Sequence, residues 1–288
     1  MTGDDSNPAE KWWAENPMTY GTTHGTAEHA GTKTELGSRE FFEQVDRTFY
    51  SWNPNLHVVR KFDRIFPYDR YAAGARVLEI GCGMGTMAMN WAQNGSSVTA
   101  VDLNPTSIEQ TRRRFDLFDL EGDIRQMDGN RLEFADGSFD YVYSWGVLHH
   151  SPQLAKSLTE FMRVLRKDGE FGLMLYSRQS TYYSYRIRYL EGFLHFENRF
   201  LSPLELASRY TDAAEDEGNP HTWPVTDAEL RVMLSSGARE LHLRRFGEEL
   251  PEIFKYLLPG VSRLLPEWAV LAWMRRCGWS VWASGRRN

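Results

Sequence analysis

Three glycines at alternate positions, Gly81, Gly83 and Gly85, follow the apolar run 77–80 and precede a helix-like segment, 86–94. A glycine loop between a strand and a helix lets a ligand lie against bare backbone, facing amide N–H groups and the helix N-terminus. A second apolar run ends in Asp102, and an acidic residue at the tip of the second strand can accept hydrogen bonds from a ribose diol. These residues predict a site for an adenosine-type cofactor.

The glycine spacing distinguishes between kinds of nucleotide site. A dinucleotide-binding loop has glycine at its first, third and sixth positions. Here the sixth position is Thr86, and the third glycine comes one place early. A phosphate-binding P-loop would need Gly-Lys-Ser/Thr, which this loop lacks. We therefore expect a loop that approaches its ligand closely without the fingerprint of a pyrophosphate site.

Composition narrows the class of protein. A chain of 288 residues with 41% hydrophobic and 25% charged residues suits one large α/β domain with additions. The net charge of −6 argues against a nonspecific nucleic-acid binder. Only two cysteines occur, the start of the chain does not look like a signal peptide, and the apolar stretch 268–274 is too short to cross a bilayer. We expect a cytoplasmic protein without a membrane span.

Strands and helices alternate from residue 74 onward, which predicts a mostly parallel sheet with right-handed crossovers. The alternation breaks after residue 176, and 177–225 reads as an insertion without strands. Upstream, 38–49 has helical spacing, while 1–37 is polar but carries large aromatics. We predict an N-terminal arm and helix over 1–60 that act as a lid, and a main domain over 61–288 whose insertion caps the acceptor.

The pattern Glu79-x-Gly-x-Gly-x-Gly resembles motif I of the class I S-adenosylmethionine-dependent methyltransferases. The resemblance continues through Asp102, Asp128-Gly129 and the segment 139–152, and ends in 163–169, where Lys-Asp-Gly stands in place of the family's usual Lys-Pro-Gly-Gly. The resemblance covers about residues 74–176. Within the family, the chain is similar to the small-molecule enzymes of the ubiquinone-biosynthesis group. It implies a Rossmann-like α/β fold with a seven-stranded, mostly parallel sheet, the last strand antiparallel, an N-terminal arm and a helical insertion after strand five.

The resemblance also implies which residues hold S-adenosylmethionine, whose demethylated product is S-adenosylhomocysteine. The methionine part would lie against the loop residues Gly81, Cys82, Gly83 and Gly85. Glu79 would steady this loop or reach the amino group through water, and Ser144 would offer its carbonyl to the ammonium. The alternative for Glu79 is a purely structural carboxylate. Cys82 reads as a packing residue rather than a nucleophile, because no activating base is evident.

For the adenosine part, the resemblance implies Asp102 at the ribose hydroxyls and Leu103 against the adenine. Asp128 would meet the adenine amino group, with the backbone of Gly129 beside it. The alternative for both aspartates is a solvated turn at a strand end.

The reaction implied is direct in-line transfer of a methyl group to O, N or C of a small-molecule acceptor, with no metal. His149 and His150 follow strand four, where one of them could remove a proton from the acceptor. Loop packing or cofactor contact is the alternative for this pair. Aromatic and polar residues at the domain edges could line the acceptor pocket, each with plain packing as its alternative: Tyr20, Tyr50, Tyr176 and His221.

Other functions stay open at this point. A sensor or scaffold would bind the cofactor without turnover, and an RNA or protein methyltransferase would act on a macromolecule. The run 182–190 mixes tyrosines with arginines, but Tyr183, Ile187, Leu190 and Leu194 have the spacing of a core-facing helical stripe. We expect a small acceptor in specialised metabolism, no nucleic-acid partner, and a monomer or homodimer.

Overall fold

This computed structural model describes residues 8–18, 34–52, 54–212, 218–247 and 264–288. Seven strands form one sheet in the order β3-β2-β1-β4-β5-β7-β6. The strands are β1 (Arg76–Ile80), β2 (Ser97–Asp102), β3 (Asp123–Gln126), β4 (Phe139–Trp145), β5 (Leu165–Tyr176), β6 (Ala238–Phe246) and β7 (Ser280–Arg287). The first five are parallel, and β7 runs antiparallel to both β5 and β6. The predicted fold, with its last strand antiparallel, is confirmed.

Helices flank the sheet and cap its edges. They are α1 (Pro8–Glu15), α2 (Arg39–Ser51), α3 (Thr86–Gln93), α4 (Pro105–Leu117), α5 (Leu154–Val164), a π-helix (Tyr182–Leu194), α6 (Pro203–Arg209), α7 (Asp227–Leu234) and α8 (Glu267–Cys277). Short 3₁₀ turns cover Pro54–Leu56, Tyr68–Arg70, Leu148–His150 and Glu197–Arg199. Ser38 caps α2 through a hydrogen bond from the Phe41 amide, and Asn104 caps α4. None of the helices described is long and apolar enough to cross a membrane.

The sheet is covered by apolar side chains on both faces because successive residues of a strand point to opposite sides. In β1, Val77 packs with Trp91 on one face, and Leu78 packs with Phe161 on the other. Strand order reverses between β1 and β4, since the chain moves outward from β1 through β2 and β3 and then returns beside β1 as β4. Ligands bind at the carboxyl ends of the strands at such a switch point, and the glycine loop lies there.

Helix α5 ends at Val164, because Leu165 is fully buried and pairs with Phe139 as the start of β5. Asp168 then lies at φ 59° beside a register shift of that strand pair.

In the insertion, Leu194 does not join the buried stripe; it is 45% exposed. The buried positions there are Tyr183, Ile187, Glu191 and Gly192, and the wider turn of the π-helix shifts the buried face away from the pattern of an α-helix.

Candidate active site

A cavity of about 630 Å³ opens at the carboxyl ends of β1, β2 and β4. The glycine loop and the tips of β2 and β3 form one end of it. Trp13 of α1, Tyr176 at the end of β5 and Trp279 before β7 also line it, grouped around His150. The cavity therefore joins the predicted cofactor residues to a chamber with aromatic walls, which we call the aromatic chamber.

The glycine loop is built so that its backbone borders the cavity. The Gly81 amide donates a 2.7 Å hydrogen bond to the carbonyl oxygen of Val101, and a Cβ at Gly81 would come within 2.2 Å of the Val147 side chain. Gly83 has φ 51° and no atom within 4 Å of the position a Cβ would occupy. A side chain at Gly83 would be strained and would enter open space beside the ligand's place.

Asp102 lies at the tip of β2 and is half-buried in the cavity wall. Its Oδ2 accepts a 2.8 Å hydrogen bond from the Gly83 amide, and its Oδ1 accepts one of 2.9 Å from the Asn104 amide. Burial raises the pKa of this carboxyl, and the amide bonds oppose that rise. Leu103 lines the cavity beside it, and the contacts of these two residues with ribose and adenine stay predictions.

Asp128 and Gly129 follow β3 and also line the cavity. Asp128 Oδ1 accepts hydrogen bonds from the backbone and side-chain nitrogens of Asn130, at 2.8 and 2.9 Å. A Cβ on Gly129 would lie 3.3 Å from Ile80, so a larger residue would crowd β1. The bonds to Asn130 hold the Asp128 carboxylate at the cavity wall.

Glu79 is buried at the end of β1, only 1% exposed, and lines the cavity. Burial raises its pKa to about 8, an effect that Tyr143 opposes and the charge of Asp102 adds to. Its Oε2 has no hydrogen-bond partner among the described residues. An orphaned carboxyl oxygen beside a glycine loop fits a ligand that brings a positive charge or a donor.

Cys82 borders the same cavity, but its thiol is unsuited to nucleophilic attack. Burial, followed by the charges of Asp102 and Glu79, raises the pKa of the Cys82 thiol well above its usual range. Its Sγ contacts Oγ1 of Thr111 at 3.6 Å. The thiol therefore remains protonated, as the packing interpretation of Cys82 requires.

Ser144 and Tyr50 lie behind the cavity wall rather than in it. The Ser144 hydroxyl donates to the carbonyl of Ile80 at 2.8 Å, while the four residues that follow it, 145–148, line the cavity. The Tyr50 hydroxyl donates to the carbonyl of Thr86 at 3.2 Å, and its neighbour Phe49 faces the cavity. Their predicted ligand contacts stay predictions. Tyr20 lies outside the described residues.

The two adjacent histidines have different surroundings. His149 is fully buried, does not border the cavity, and neither of its ring nitrogens has a partner in the described structure. Burial, then the nearby charges of His150 and His221, lower the pKa of His149 well below its usual range. His150 borders the cavity. Of the pair, His150 is therefore the one that can reach a ligand.

Hydrogen bonds place a hydrogen on Nδ1 of His150. Its Nδ1 lies 3.0 Å from the His221 carbonyl and 3.0 Å from the Thr222 hydroxyl. The Thr222 hydroxyl itself donates to Asn219 Oδ1 at 2.8 Å, so both neighbours of Nδ1 accept. Nδ1 thus carries a hydrogen, and Nε2 is the ring nitrogen left to exchange a proton with a ligand. His221 contributes its backbone, since its ring does not line the cavity.

Three further residues of the aromatic chamber complete the surroundings of His150. Asp212 Oδ2 lies 3.3 Å from Nε2 of His150 and accepts a 2.6 Å hydrogen bond from the Tyr176 hydroxyl. Tyr176 stacks on Trp279, with ring centroids 4.5 Å apart. Of these, we predicted only Tyr176. Asp212 lies in the insertion, where the sequence has no periodic pattern that would have singled it out.

The same cluster includes three donor atoms that could hold a metal ion. Among the described residues, His149, His150 and Asp212 each offer one ligand atom within 4.8 Å of the others. The Nδ1 of His150 already donates to His221, which leaves Nε2 as its metal-facing atom. The expected absence of a metal stays a prediction.

Helix α1 lies across the cavity. The edge of the Trp13 ring packs against His150 with centroids 5.0 Å apart, and the Trp13 carbonyl accepts a hydrogen bond from the Asn104 side chain. Met18 also lines the cavity. One short helix thus contacts the cofactor end through Asn104 and the aromatic chamber through His150, which is the placement that a lid requires.

The chain is similar in sequence to known proteins. Residues 78–173 match the family described as a methyltransferase domain. Relatives include a demethylmenaquinone methyltransferase of Beutenbergia cavernae, 36% identical over 52% of this chain and 60% of its own. A ubiquinone biosynthesis O-methyltransferase of Xanthomonas oryzae is 32% identical over 47% and 60%, and an S-adenosyl-L-methionine-dependent Diels-Alderase of Talaromyces variabilis is 33% identical over 45% and 47%. The chain thus spans about half to three-fifths of these relatives' length.

Solved structures share the fold at low sequence identity. A protein of Pyrococcus horikoshii matches with a TM-score of 0.55 over 88% of this chain and 94% of its own, at 14% identity. A SAM-dependent methyltransferase of Methanosarcina mazei matches with a TM-score of 0.52 over 78% and 98%, at 19% identity. At these identities the likeness concerns the fold alone.

Proposed function

The chain contains a class I S-adenosylmethionine-dependent methyltransferase domain, and on that premise we propose that it methylates a small-molecule acceptor by direct in-line displacement. The observation that carries the proposal is the single cavity that joins the glycine loop to the aromatic chamber, with His150 in its wall. Both reactants would meet in one enclosed space. We assign the acceptor to specialised metabolism and the reaction to the cytoplasm.

The residues at the loop end of the cavity fit the cofactor. The open side of Gly83 leaves room for a ligand against the backbone, and Asp102 presents a carboxylate to hydroxyl donors. The unpartnered Oε2 of Glu79 is available to a cationic group. When bound, the cofactor supplies an electrophilic methyl group on a positively charged sulfur.

The chain's own contribution is alignment, exclusion of water and removal of a proton. Alignment of two bound reactants can supply about 7–11 kcal/mol in the best oriented cases. The rings of Trp13 and Trp279 shield the acceptor from water. His150 accepts a proton at Nε2, because Nδ1–H is held by the His221 carbonyl and the Thr222 hydroxyl.

A second candidate function is supported by one relative. The Talaromyces variabilis protein is named as an S-adenosyl-L-methionine-dependent Diels-Alderase, so a related domain accompanies a ring-forming reaction. In this alternative the cofactor stays bound, and the aromatic chamber holds a substrate that cyclises without accepting a methyl group. The sensor alternative likewise predicts binding without turnover.

One experiment separates these functions. The protein is titrated calorimetrically with S-adenosylmethionine and then incubated with the trideuteromethyl cofactor and a cell extract, with mass spectrometry of each fraction. Label in small molecules together with S-adenosylhomocysteine supports methyl transfer to a small acceptor. Label in RNA or protein contradicts it, and binding without S-adenosylhomocysteine favours the second candidate or the sensor. Asp102→Ala serves as the cofactor-site control. Failure to bind the cofactor overturns all of them.

A further inference from the structure

The cavity is strongly acidic. Four carboxyl residues line it, Glu79, Asp102, Asp128 and Asp212, and no lysine or arginine lines it within the described ranges. The cofactor itself brings a net positive charge at neutral pH, which compensates the negative charge of the acidic residues at the loop end. Asp212 lies apart from these, in the aromatic chamber beside His150. Among the described residues, no lysine or arginine lines the cavity beside it.

We propose that the acceptor is an organic amine, whose ammonium form binds Asp212 between the aromatic walls. The inference rests on the proposed methyl transfer and narrows it from O, N or C to nitrogen. It also assigns Asp212 as the residue that recognises the acceptor.

One carboxylate oxygen of Asp212 already accepts a hydrogen bond, and the other can accept one from a ligand. Oδ2 accepts from the Tyr176 hydroxyl at 2.6 Å and lies 3.3 Å from His150 Nε2. No described residue donates to Oδ1, and the side chain is 19% exposed where it borders the cavity. A carboxylate oriented by a tyrosine and facing an enclosed space is suited to a charge-assisted bond with an ammonium.

The rings beside Asp212 favour a cation as well. Tyr176 donates to Asp212 and stacks on Trp279, Trp13 packs against His150, and all three rings line the cavity. The faces of indole and phenol rings attract organic cations, and the attraction is stronger where water is excluded. An aromatic chamber with one carboxylate therefore binds an ammonium better than a neutral alcohol, and it repels a carboxylate or a phosphate.

The charge balance of the reaction also selects nitrogen. The ammonium first gives one proton to Nε2 of His150. The nitrogen lone pair then forms the bond to the methyl carbon, while the sulfur–methyl bond breaks and its electron pair stays on sulfur. Positive charge passes from sulfur to the new ammonium beside Asp212. With a hydroxyl acceptor the methylated product would be neutral, and it would bring no positive charge to Asp212.

The test compares aromatic probes that differ in one group: tryptamine, tryptophol and indole-3-propionate, together with 2-phenylethylamine, 2-phenylethanol and 3-phenylpropionate. Each is titrated into the complex of the full chain with S-adenosylhomocysteine, followed by calorimetry and thermal shift. Binding of S-adenosylhomocysteine is measured first, so that failure at the cofactor site is recognised separately. We expect the amines alone to bind.

The matched variants are Asp212→Asn and Asp69→Asn, the second of which removes a surface carboxylate that is 85% exposed. Asp212→Asn should weaken amine binding by about tenfold or more through loss of a charge-assisted bond. It should leave S-adenosylhomocysteine affinity within about twofold, and Asp69→Asn should change neither.

Four results overturn the inference while the proposed methyl transfer stands. The alcohols or acids bind as tightly as the amines, or no amine gives a response. Alternatively, Asp212→Asn keeps its amine affinity, or the unaltered chain binds Zn²⁺ or Mn²⁺ stoichiometrically and Asp212→Asn does not. The last result would make Asp212 a metal ligand with His149 and His150 instead.

Discussion

The backbone amide of Gly83 donates a 2.8 Å hydrogen bond to Oδ2 of Asp102, which ties the loop after β1 to the tip of β2. One carboxylate thus shapes the glycine loop and faces the cofactor end of the cavity. A second amide, from Asn104, holds the other oxygen, so the carboxylate is oriented before a ligand arrives.

Replacement of Asp102 by alanine should therefore weaken cofactor binding. The variant loses charge-assisted bonds to the ribose, worth about 1.5–3 kcal/mol, or roughly tenfold to a hundredfold in Kd. Calorimetric titration with S-adenosylmethionine measures the loss. Asp123→Ala, which removes an exposed partner of Arg125, is the control and should bind as the unaltered chain does. Equal affinity of the Asp102 variant would show that this carboxylate does not meet the ligand.

Glu79 should make cofactor binding depend on pH. Its pKa is raised to about 8 by burial, so near pH 7 the ligand-free protein holds it mostly protonated. A ligand that brings positive charge favours the ionised form, and affinity should rise as the pH increases from 7 to 9, with release of a proton on binding. Calorimetry in buffers of different ionisation enthalpy measures the proton. Glu79→Gln should remove both effects; a pH-independent affinity in the unaltered chain contradicts the assignment.

The same carboxyl should also make the stability of the ligand-free protein depend on pH. Here stability should fall as the pH rises, whereas cofactor affinity should increase. Between the ordinary pKa of 4.5 and about 8, the folded state keeps a proton that the unfolded chain has lost. The contribution of Glu79 to the free energy of unfolding therefore falls as the pH rises through this window and is constant above it. Urea unfolding of the unaltered chain and of Glu79→Gln at pH 5, 6.5 and 8 measures the difference. If the difference in unfolding free energy between the unaltered chain and Glu79→Gln stays constant from pH 5 to pH 8, the assigned pKa shift is contradicted.

Arg114 should be a major source of stability because it joins three segments with no exposed surface. Its guanidinium pairs with Asp46 of α2 and donates to the carbonyl of Met84 at 3.1 Å and to Thr86 Oγ1 at 3.1 Å. Arg114→Met should lower the free energy of unfolding by about 3–5 kcal/mol, since it strands a partly buried carboxylate. Urea unfolding followed by circular dichroism measures it. Asp46→Asn, which leaves Arg114 a neutral hydrogen-bond partner, should lower the free energy of unfolding by less than Arg114→Met does. If Asp46→Asn lowers it by more, the ion pair is not the source of the stability.

Trp13 should slow the exchange of ligands. Its ring packs on His150 and lines the cavity, and aromatic contacts of this kind are worth about 0.5–1.5 kcal/mol beyond burial. Trp13→Ala should therefore speed cofactor dissociation by roughly twofold to tenfold in stopped-flow measurements. Trp268→Ala, at a site 74% exposed, should leave the rate unchanged. Identical rates in all three proteins would show that α1 is not a lid.

The cofactor end of the cavity could be predicted because its chemistry follows from local pattern. A buried strand must end in a turn, and the turn after β1 contains glycines at φ 86°, 51° and 72°, conformations that few other residues adopt. Asp102 is the last residue of β2 and Asp128 comes two positions after β3, so strand prediction alone placed them at one edge of the sheet. Ser144 lies one position before the segment that lines the cavity, and strand ends are the least certain part of such a prediction.

The acceptor end could not be predicted in the same way. Asp212 meets His150 across 62 positions of sequence, through an insertion whose π-helix follows neither the strand period nor the α-helix period. Trp13 reaches His150 from an arm without sustained periodicity. Contacts between distant segments depend on packing, which a single sequence does not reveal.

The two adjacent histidines should respond very differently to the same substitution. Both ring nitrogens of His149 lack partners in the described structure and its side chain is fully buried, so His149→Leu removes no described hydrogen bond and should keep stability and most methyl transfer. His150→Leu removes the Nδ1 bond to His221 and the lone pair of Nε2, and should abolish transfer while the cofactor still binds. Transfer of the trideuteromethyl group into extract small molecules, beside calorimetry with S-adenosylmethionine, measures both properties. If His149→Leu loses methyl transfer but keeps its cofactor affinity and melting temperature, His149 rather than His150 is the proton acceptor.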